Sequence, residues 1–286
     1  MSIVFLNGNF LPEVEATISP LDRGFIFGDG VYEVIPVYGA KLFRINEHLQ
    51  RLDNSLSAIK LNNPYGHKRW LELFKKLIEI NGNGDQSLYL QITRGKAVRD
   101  HAIPNGATPT VFMMSSGLKS PTQDVIENGI SAVTCDDFRW KKCQIKSISL
   151  IANVLLRQYA IDNGAAESIL IREGEVTEGA ASNIFVVVDG TLITPPKGPL
   201  LLPGITRDLI LEIAQQNNIA YAEASLSMDQ LNRASEVMLS SSTKEILPVT
   251  LLDQKPVGNG KPGPIFHKLY SLYQVYKDKL RKGELT

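Results

Sequence analysis

The distribution of apolar and polar residues predicts that the chain begins with a small sheet and two helices. Two short apolar runs flank Asn7 and Gly8, which is a strong signal for a β-hairpin. Residues 46–60 and 67–80 then carry large apolar side chains at helical spacing. A turn at residues 81–85 separates these helices from predicted strands at 87–95 and 108–117. The first 117 residues are therefore predicted to contain strands and helices together.

A polar stretch without hydrophobic periodicity, residues 119–124, follows this region and indicates a linker. It divides the chain into a small N-terminal domain at 1–118 and a larger C-terminal domain at 125–286. In the second domain, apolar runs predict strands near 129–135, 144–149, 167–172, 183–188 and 236–241. Helical spacing predicts helices at 151–163, 205–217 and 264–281. Both domains are thus expected to mix α and β elements.

The amino-acid composition argues against several classes of function. The 286 residues are 43% hydrophobic and 21% charged, with a formal net charge of zero, so no basic excess favours nucleic acid or a membrane surface. The amino terminus lacks the pattern of a signal peptide, and no run of about 18 apolar residues occurs, so a cytoplasmic protein is expected. Two cysteines and four dispersed histidines predict neither a disulfide framework nor a metal site. Small-molecule partners fit this composition best.

The segment "KKCQIKSISLIANVL" places Lys146 among apolar residues. In an extended strand, Lys146 points to the same face as Ile148 and Leu150, and a buried ammonium without a partner tends to lose its proton. A neutral lysine amine is a nucleophile that forms Schiff bases with carbonyl compounds. The alternative is a lysine whose charged end extends from a strand end into water.

Two further segments carry residues suited to binding an anion. The segment "GITRDLILEIAQQ" begins a helix whose first amides, at Ile205 and Thr206, are suited to a phosphate, although any capped helix has the same pattern. The segment "SSSTKE", residues 240–245, adds a row of hydroxyls after an apolar strand, or simply forms a polar strand end.

Two more segments carry charged residues at strand ends. Glu178 lies between two predicted strands, where it is either a solvated turn residue or a buried carboxylate that needs a cationic or hydrogen-bond-donating partner, such as a protonated pyridine nitrogen. The loop "TRGKAVRDHAIP" offers Arg94, Arg99 and His101, which are suited to gripping a carboxylate or are solvated charges.

Taken in order, several motifs resemble those of the class IV, or fold-type IV, pyridoxal phosphate-dependent aminotransferases over nearly the whole chain. They are "RGFIFGDGVYEV", "NEHLQRL", "TRGKAVRDHAIP", "DDFRWKKCQIKSISL", "VTEGAASNIF", "LPGITRDLI" and "SSSTKEILPV". Within that family the sequence looks most like the D-amino-acid aminotransferases. The resemblance implies a mixed α+β fold with a small N-terminal and a larger C-terminal domain, and pyridoxal 5'-phosphate as cofactor.

The resemblance also implies roles for individual residues. Lys146 would carry pyridoxal phosphate covalently and then move a proton at the substrate Cα, and Glu178 would pair with the pyridine nitrogen. Leu202 would pack under the ring. Binding of the cofactor phosphate is implied for Arg51, Ile205, Thr206, Ser241 and Ser242.

For the substrate, the resemblance implies a carboxylate site made of Tyr32, Arg99 and His101, with Arg99 and His101 supplied by the neighbouring subunit of a homodimer. The expected reaction is ping-pong transfer of the amino group from D-alanine or another D-amino acid to 2-oxoglutarate, giving pyruvate and D-glutamate. One departure is that Ala180 and Ala181 stand where D-amino-acid aminotransferases usually have hydroxyl residues after the "TEG" motif, which puts some hydrogen bonding around the cofactor in doubt.

Alternatives within the same fold are a branched-chain L-amino-acid aminotransferase, an (R)-selective amine aminotransferase and 4-amino-4-deoxychorismate lyase. The first two have no need of the Arg99 and His101 pair, and the lyase releases pyruvate without a 2-oxo acid acceptor. A non-catalytic pyridoxal phosphate-binding protein is an alternative from a different class, since it needs only the cofactor contacts.

Overall fold

The computed structural model describes residues 2–82 and 84–285. Its internal contacts divide the chain into two compact units. Unit 1 contains residues up to Lys119, the segment Ile145–Leu150 and the residues from Lys279 onward; unit 2 contains Ser120–Gln144 and Ile151–Asp278. Asn83, in the turn predicted at 81–85, lies outside the described residues.

Unit 1 is built on an antiparallel six-stranded sheet in the order β2-β1-β6-β5-β3-β4. The Asn7-Gly8 hairpin is confirmed, because β1 and β2 pair directly and both turn residues have positive φ. The strands are β1 (Ile3–Leu6), β2 (Asn9–Pro12), β3 (Gly30–Tyr38), β4 (Lys41–Leu42), β5 (Gln86–Thr93) and β6 (Thr110–Gly117).

One face of this sheet is buried beneath helices, as the helical spacing of apolar residues predicts. The helices of unit 1 are α1 (Arg23–Phe27), α2 (Ile45–Ala58) and α3 (His67–Asn81), and a single 3-10 turn occupies Glu13–Glu15. Side chains of α2 and α3, such as Leu52 and Phe74, share one core with Val31 and Ile35 of β3. Glu33 lies between these two strand residues and points to the same face, because side chains of a strand alternate.

Unit 2 is built on a mixed nine-stranded sheet in the order β12-β11-β10-β13-β14-β7-β8-β9, with β15 paired to β14. Three of its pairings, β11 with β12, β14 with β7 and β7 with β8, are parallel. The strands are β7 (Ile130–Asp136), β8 (Glu167–Arg172), β9 (Glu175–Gly179), β10 (Asn183–Val188), β11 (Thr191–Thr194), β12 (Tyr221–Glu223), β13 (Glu236–Ser241), β14 (Glu245–Leu252) and β15 (Lys255–Pro256).

The helices of unit 2 connect these strands. They are α4 (Gln123–Asn128), α5 (Ile151–Asp162), α6 (Ile205–Gln216), α7 (Met228–Asn232) and α8 (Pro264–Lys282), whose last residues are grouped with unit 1. The Glu236 carboxylate accepts hydrogen bonds from the amides of Ile265 and Phe266 and so caps the first turn of α8. The expected mixed α+β fold is confirmed by these elements.

The segment 144–149 differs from its prediction as a strand. Among the described residues, its one strand-like pairing is an isolated bridge between Ser147 and Val31. Other backbone hydrogen bonds in this region are local, such as those from the amides of Ser147 and Leu150 to the carbonyls two residues earlier. The segment Ile145–Leu150, and with it Lys146, is grouped with unit 1 and not with the residues that surround it in sequence. The first boundary between the units, between Lys119 and Ser120, falls in the predicted linker at 119–124, and the segment 145–150 and the residues from 279 onward are grouped with unit 1.

Candidate active site

The backbone around Lys146 is fixed against β3. The amide of Tyr32 donates to the carbonyl of Lys146 over 3.0 Å, and the amide of Ile148 donates to the carbonyl of Gly30 over 3.1 Å. Glycine at position 30 permits this close approach, since a Cβ there would lie 3.0 Å from Ile148 Cδ1, and also 2.6 Å from the carbonyl oxygen of Ile92 in β5. Because both flanks of the segment are hydrogen-bonded, the direction of the Lys146 side chain is defined by the backbone.

The Lys146 side chain is half-buried and lies against an aromatic ring. Its Nζ is 4.2 Å from the centroid of the Tyr32 ring, a distance at which an ammonium is attracted by the ring face. The Lys146 amide also donates to Ser55 Oγ over 3.2 Å, which connects the segment to α2. Two residues that the sequence analysis assigns to the site, Lys146 and Tyr32, are thus in contact.

Arg51, expected to bind a phosphate, is held in a buried cluster with Glu33 and His48. Its Nε and Nη2 each donate to the Glu33 carboxylate over 2.8 Å, and His48 Nδ1 lies 2.7 Å from the same carboxylate. Burial by itself would raise the pKa of Glu33, but the charge and hydrogen bonds of Arg51 outweigh it and lower that pKa to about 2. Burial lowers the pKa of His48. Glu33 therefore acts as a fixed negative charge that orients the Arg51 guanidinium.

Arg99 and His101 lie together on an exposed loop of unit 1. The Arg99 guanidinium is 5.5 Å from the ring centroid of Phe27, and the His101 ring is 5.2 Å from the same centroid. Arg94, the third candidate in this loop, is instead buried and makes two hydrogen bonds to Asp29. Arg94 therefore has a structural role, and two candidates for binding a carboxylate remain, Arg99 and His101, which lie beside the same aromatic ring.

In unit 2, Glu178 is buried at the end region of β9 and is surrounded by hydrogen-bond donors. Arg139 Nη1 donates to its Oε1 over 2.5 Å, while the Leu202 amide and Asn183 Nδ2 donate to its Oε2 over 3.0 and 3.2 Å. Burial raises the pKa of Glu178 to about 7, against the opposing charge of Arg139. The solvated-turn interpretation of Glu178 does not hold, because only 4% of the residue is exposed.

The amino terminus of α6 lies beside the same group of residues. Asn183 Nδ2 donates to the Leu202 carbonyl over 2.8 Å, and a Cβ at Gly204 would fall 1.9 Å from Asn183 Oδ1. Gly204 offers no side-chain cap, so the first amides of α6, at Ile205 and Thr206, retain their capacity to bind an anion. The loop from Leu202 to Thr206 therefore connects the Glu178 carboxylate to a helix amino terminus.

Two buried hydroxyls next to this helix lack a partner among the described residues: Thr206 Oγ1 and Ser240 Oγ. Ser240 pairs with Asn183 in the ladder between β13 and β10, so the end of β13 reaches the same region. Ser241 Oγ accepts a hydrogen bond from the Lys244 amide, and Ser242 is half-buried in the turn that follows. A buried hydroxyl without a partner is costly, so Thr206 fits a site that an anion completes.

Ala180 and Ala181, the departures from the family pattern, have different surroundings. Ala180 is buried with Leu156 and Leu170, and its carbonyl accepts a hydrogen bond from Asn153. Ala181 is exposed. The apolar contacts of Ala180 explain why a small apolar residue is suited to its position.

Arg139, Asn183, Glu33 and His48 are residues of these clusters that no pattern in the sequence assigns to the site. Asp137 and Arg139 belong to "DDFRW", a segment that looks like a polar loop, yet only 8% of each of these two residues is exposed. The sequence does contain a signal for the burial of Glu33. Side chains of a strand alternate between its two faces, so Glu33 lies on the same apolar face of β3 as Val31 and Ile35.

Within residues 2–82 and 84–285, no group of three or more His, Cys, Asp or Glu side chains is arranged to hold a metal ion. Of the helices described there, none is both long and apolar enough to span a bilayer.

Comparison with known proteins gives consistent matches over the chain. Residues 30–252 match the family model for amino-transferase class IV. The chain is 40% identical over 271 residues to D-alanine aminotransferase of Bacillus licheniformis, covering 95% of each protein. It is also 40% identical over 277 residues to D-alanine aminotransferase of Staphylococcus aureus (strain COL), covering 96% of this chain and 98% of the relative.

A similar fold is found in solved structures of branched-chain aminotransferases. The branched-chain amino acid aminotransferase of Escherichia coli superposes with a TM-score of 0.90 at 26% identity, and the match covers 96% of this chain and 94% of that protein. The branched-chain aminotransferase of the archaeon Thermoproteus uzoniensis, solved with norvaline, has a TM-score of 0.88 at 26% identity, with the same coverage of 96% and 94%.

Proposed function

The chain belongs to the class IV aminotransferases, and from this we propose that it transfers the amino group of D-alanine or another D-amino acid to 2-oxoglutarate. With D-alanine as donor the products are pyruvate and D-glutamate, formed in two half-reactions of a ping-pong mechanism. The observation that carries the proposal is the 40% identity to D-alanine aminotransferases over almost the entire length of both proteins. Similarity over a whole chain is more specific than any single motif in it.

The proposed cofactor is pyridoxal 5'-phosphate, and the residues of unit 2 fit it. A phosphate suits the free amides of Ile205 and Thr206 and the Thr206 hydroxyl, which is buried without a partner among the described residues. Glu178 supplies a buried carboxylate for a protonated pyridine nitrogen. Arg51, Ser241 and Ser242 are proposed as further phosphate ligands, and Leu202 as the residue beneath the ring.

Lys146 is proposed as the residue that holds the cofactor and moves the proton at the substrate Cα. When bound, pyridoxal phosphate withdraws electrons from the substrate and so makes its Cα hydrogen acidic. The Lys146 amine then needs a defined position from which to accept this proton and return it. Its backbone bonds to β3 and its contact with the Tyr32 ring support that role.

Recognition of the substrate carboxylate is proposed for Tyr32, Arg99 and His101. Arg99 and His101 present two cationic or donor groups from one loop, a pairing suited to both oxygens of a carboxylate. Both are exposed, and in our proposal they complete the site of a neighbouring subunit.

A homodimer follows from this arrangement and is supported by exposed apolar side chains. Each of the following is more than half exposed: Phe25 and Val98 in unit 1, and Ile151, Val154 and Leu155 on α5. Apolar residues clustered along one element at the surface indicate contact with another protein, and a second copy of this chain is the partner that the proposal requires. A cytoplasmic location stays a prediction from the sequence.

The proposal is tested by incubating the purified protein and pyridoxal phosphate with 2-oxoglutarate and D-alanine, L-alanine or L-leucine in parallel. We expect pyruvate and D-glutamate from D-alanine, measured by a coupled reduction of pyruvate and by chiral chromatography of glutamate. The variant Lys146→Ala serves as the inactive control. Turnover of L-leucine with no turnover of D-alanine would instead support a branched-chain aminotransferase, the activity named for the solved structures of similar fold.

A further inference from the structure

Glu178 is one end of a buried series of alternating charges within unit 2. Arg139 stands between Glu178 and Asp137, and its guanidinium contacts both carboxylates. Arg172 lies on the far side of Asp137, with its Nη2 3.1 Å from Asp137 Oδ1. No more than about a tenth of each of these four side chains is exposed, so their interactions are little screened by solvent.

The orientation of Arg139 is set by Asp137. Arg139 Nε and Nη2 donate to the two Asp137 oxygens, each over 2.9 Å, which is the bidentate geometry that a planar guanidinium and a carboxylate prefer. Thr177 Oγ1 donates to Asp137 Oδ2 over 3.0 Å and restricts the carboxylate in turn. With that edge of the guanidinium held, Arg139 Nη1 is left pointing at Glu178 Oε1.

The other oxygen of Glu178 meets two further donors whose orientation is also fixed. Asn183 Nδ2 donates to both the Leu202 carbonyl and Glu178 Oε2, so its amide cannot present its oxygen to Glu178 without losing these bonds. The Leu202 amide supplies the third donor. Since all three groups are donors, the ionised carboxylate accepts from each of them and still offers Oε1 to a further donor, whereas the O–H of a Glu178 protonated on Oε1 would face that further donor.

Burial works against this ionised form, and Arg139 opposes burial. Desolvation is the largest influence on the pKa of Glu178 and raises it; the charge of Arg139 lowers it, and Asp137 raises it again by a smaller amount. Burial raises the pKa of the Cys143 thiol, and the charges of Arg139, Glu178, Asp137 and Arg172 act on the same group. Without Arg139, burial would act on Glu178 with little to balance it.

We propose that Asp137 and Arg139 are positioning residues that hold Glu178 as an ionised acceptor aimed at the protonated ring nitrogen of the cofactor. The inference rests on the proposed function and deepens it, because it names the residues on which the interaction with the ring nitrogen depends. Oε1 receives only the Arg139 hydrogen bond among those described, so it keeps a lone pair for a second donor. Asp137 acts through Arg139 and does not itself touch the cofactor.

The test compares binding of pyridoxal 5'-phosphate with binding of its 1-deaza analogue, in which a C–H group replaces the ring nitrogen. The two ligands have the same aldehyde and phosphate, so damage to the fold or to the phosphate site weakens both alike. Dissociation constants are measured by equilibrium dialysis on the full-length, cofactor-free protein at about pH 8, above the pKa of about 7 of Glu178, so that the wild-type carboxyl is ionised. For the wild type we expect the natural cofactor to bind about 10- to 100-fold more tightly, the range for one charge-assisted hydrogen bond.

In Arg139→Gln this preference is expected to fall to about threefold or less, because the buried Glu178 then takes up a proton. Arg139→Lys retains the charge and should recover part of the preference. Asp137→Asn, which releases the guanidinium while leaving Arg139 in place, is expected to reduce the preference by at least about threefold. Arg233→Gln removes an exposed arginine of the same unit that is 3.8 Å from Asp229, and should leave the preference unchanged.

The outcomes separate this inference from the proposed function. A wild-type protein that binds neither ligand contradicts the proposed function itself. A wild-type preference that persists undiminished in Arg139→Gln overturns the inference and leaves the proposed function intact. If circular dichroism shows that Arg139→Gln does not fold, Asp137→Asn and Arg139→Lys decide, and an unchanged preference in both overturns the inference.

Discussion

Replacing Glu178 with Gln tests the electrostatics of its site through the stability of the cofactor-free protein. Burial raises the pKa of Glu178 from 4.5 to about 7. Between these two values the folded protein holds a proton that the unfolded chain has released, so unfolding becomes easier as pH rises. The stabilising effect of the protonated carboxyl is complete below pH 4.5 and is lost as pH rises through about 7.

The size of the effect follows from the shift. At roughly 1.4 kcal/mol per pKa unit, a change from 4.5 to about 7 corresponds to about 3 kcal/mol in the free energy of unfolding. A glutamine does not titrate, so Glu178→Gln lacks this pH-dependent contribution to the free energy of unfolding. The wild-type free energy of unfolding minus that of Glu178→Gln should therefore decrease by about 3 kcal/mol between pH 4.5 and pH 8.

Urea unfolding of both proteins at intervals of half a pH unit measures this difference. Circular dichroism follows the whole chain, and fluorescence adds the environments of Trp140 in unit 2 and Trp70 in unit 1. Glu127→Gln, at an exposed position of the same unit, controls for the loss of one surface charge. A difference between wild type and Glu178→Gln that stays constant across this range, or that increases with pH, would refute the reasoning.

Three further predictions concern other residues. Glu236→Ala removes the cap from two amides of α8 and should lower the free energy of unfolding by about 1 to 2 kcal/mol, measured by urea unfolding; an unchanged midpoint would show that the cap contributes nothing. Thr206→Val should weaken binding of pyridoxal phosphate about tenfold and leave binding of phosphate-free pyridoxal unchanged, both measured by equilibrium dialysis. Equal losses of affinity for the two ligands would contradict a contact between Thr206 and the phosphate. Arg99→Leu should raise KM for D-alanine about 10- to 100-fold, whereas the control Lys96→Leu, in the same loop, should leave KM unaltered. An unchanged KM in Arg99→Leu would disprove the proposed carboxylate site.

Several strands of unit 2 could be predicted to the residue, because their apolar runs are long and bounded by turns. Residues 167–172, 183–188 and 236–241 coincide with β8, β10 and β13. The segment 144–149 has a similar apolar pattern, but only Ser147 forms a bridge with β3. Alternation shows which side chains are buried, whereas strand pairing depends on a neighbouring backbone that no local pattern specifies.

The candidate site likewise contains residues that a local sequence pattern identifies and residues whose burial depends on distant parts of the chain. Lys146 and Glu178 stand out in the sequence because charged residues interrupt apolar runs. Arg139 does not stand out, since it occurs in a polar segment and its burial depends on Glu178, 39 positions away. Arg51 matches a family motif, yet its pairing with Glu33 joins a helix to a strand and appears only when both are packed.

The most direct test of the central claim is a single half-reaction without an acceptor. The purified protein carrying pyridoxal phosphate is mixed with D-alanine, and separately with L-alanine and L-leucine, while its visible absorbance band is recorded. We expect D-alanine alone to remove the band, with release of one pyruvate per site. Loss of the band with the L-amino acids, and not with D-alanine, would contradict the D-specific function while leaving the class IV fold in place.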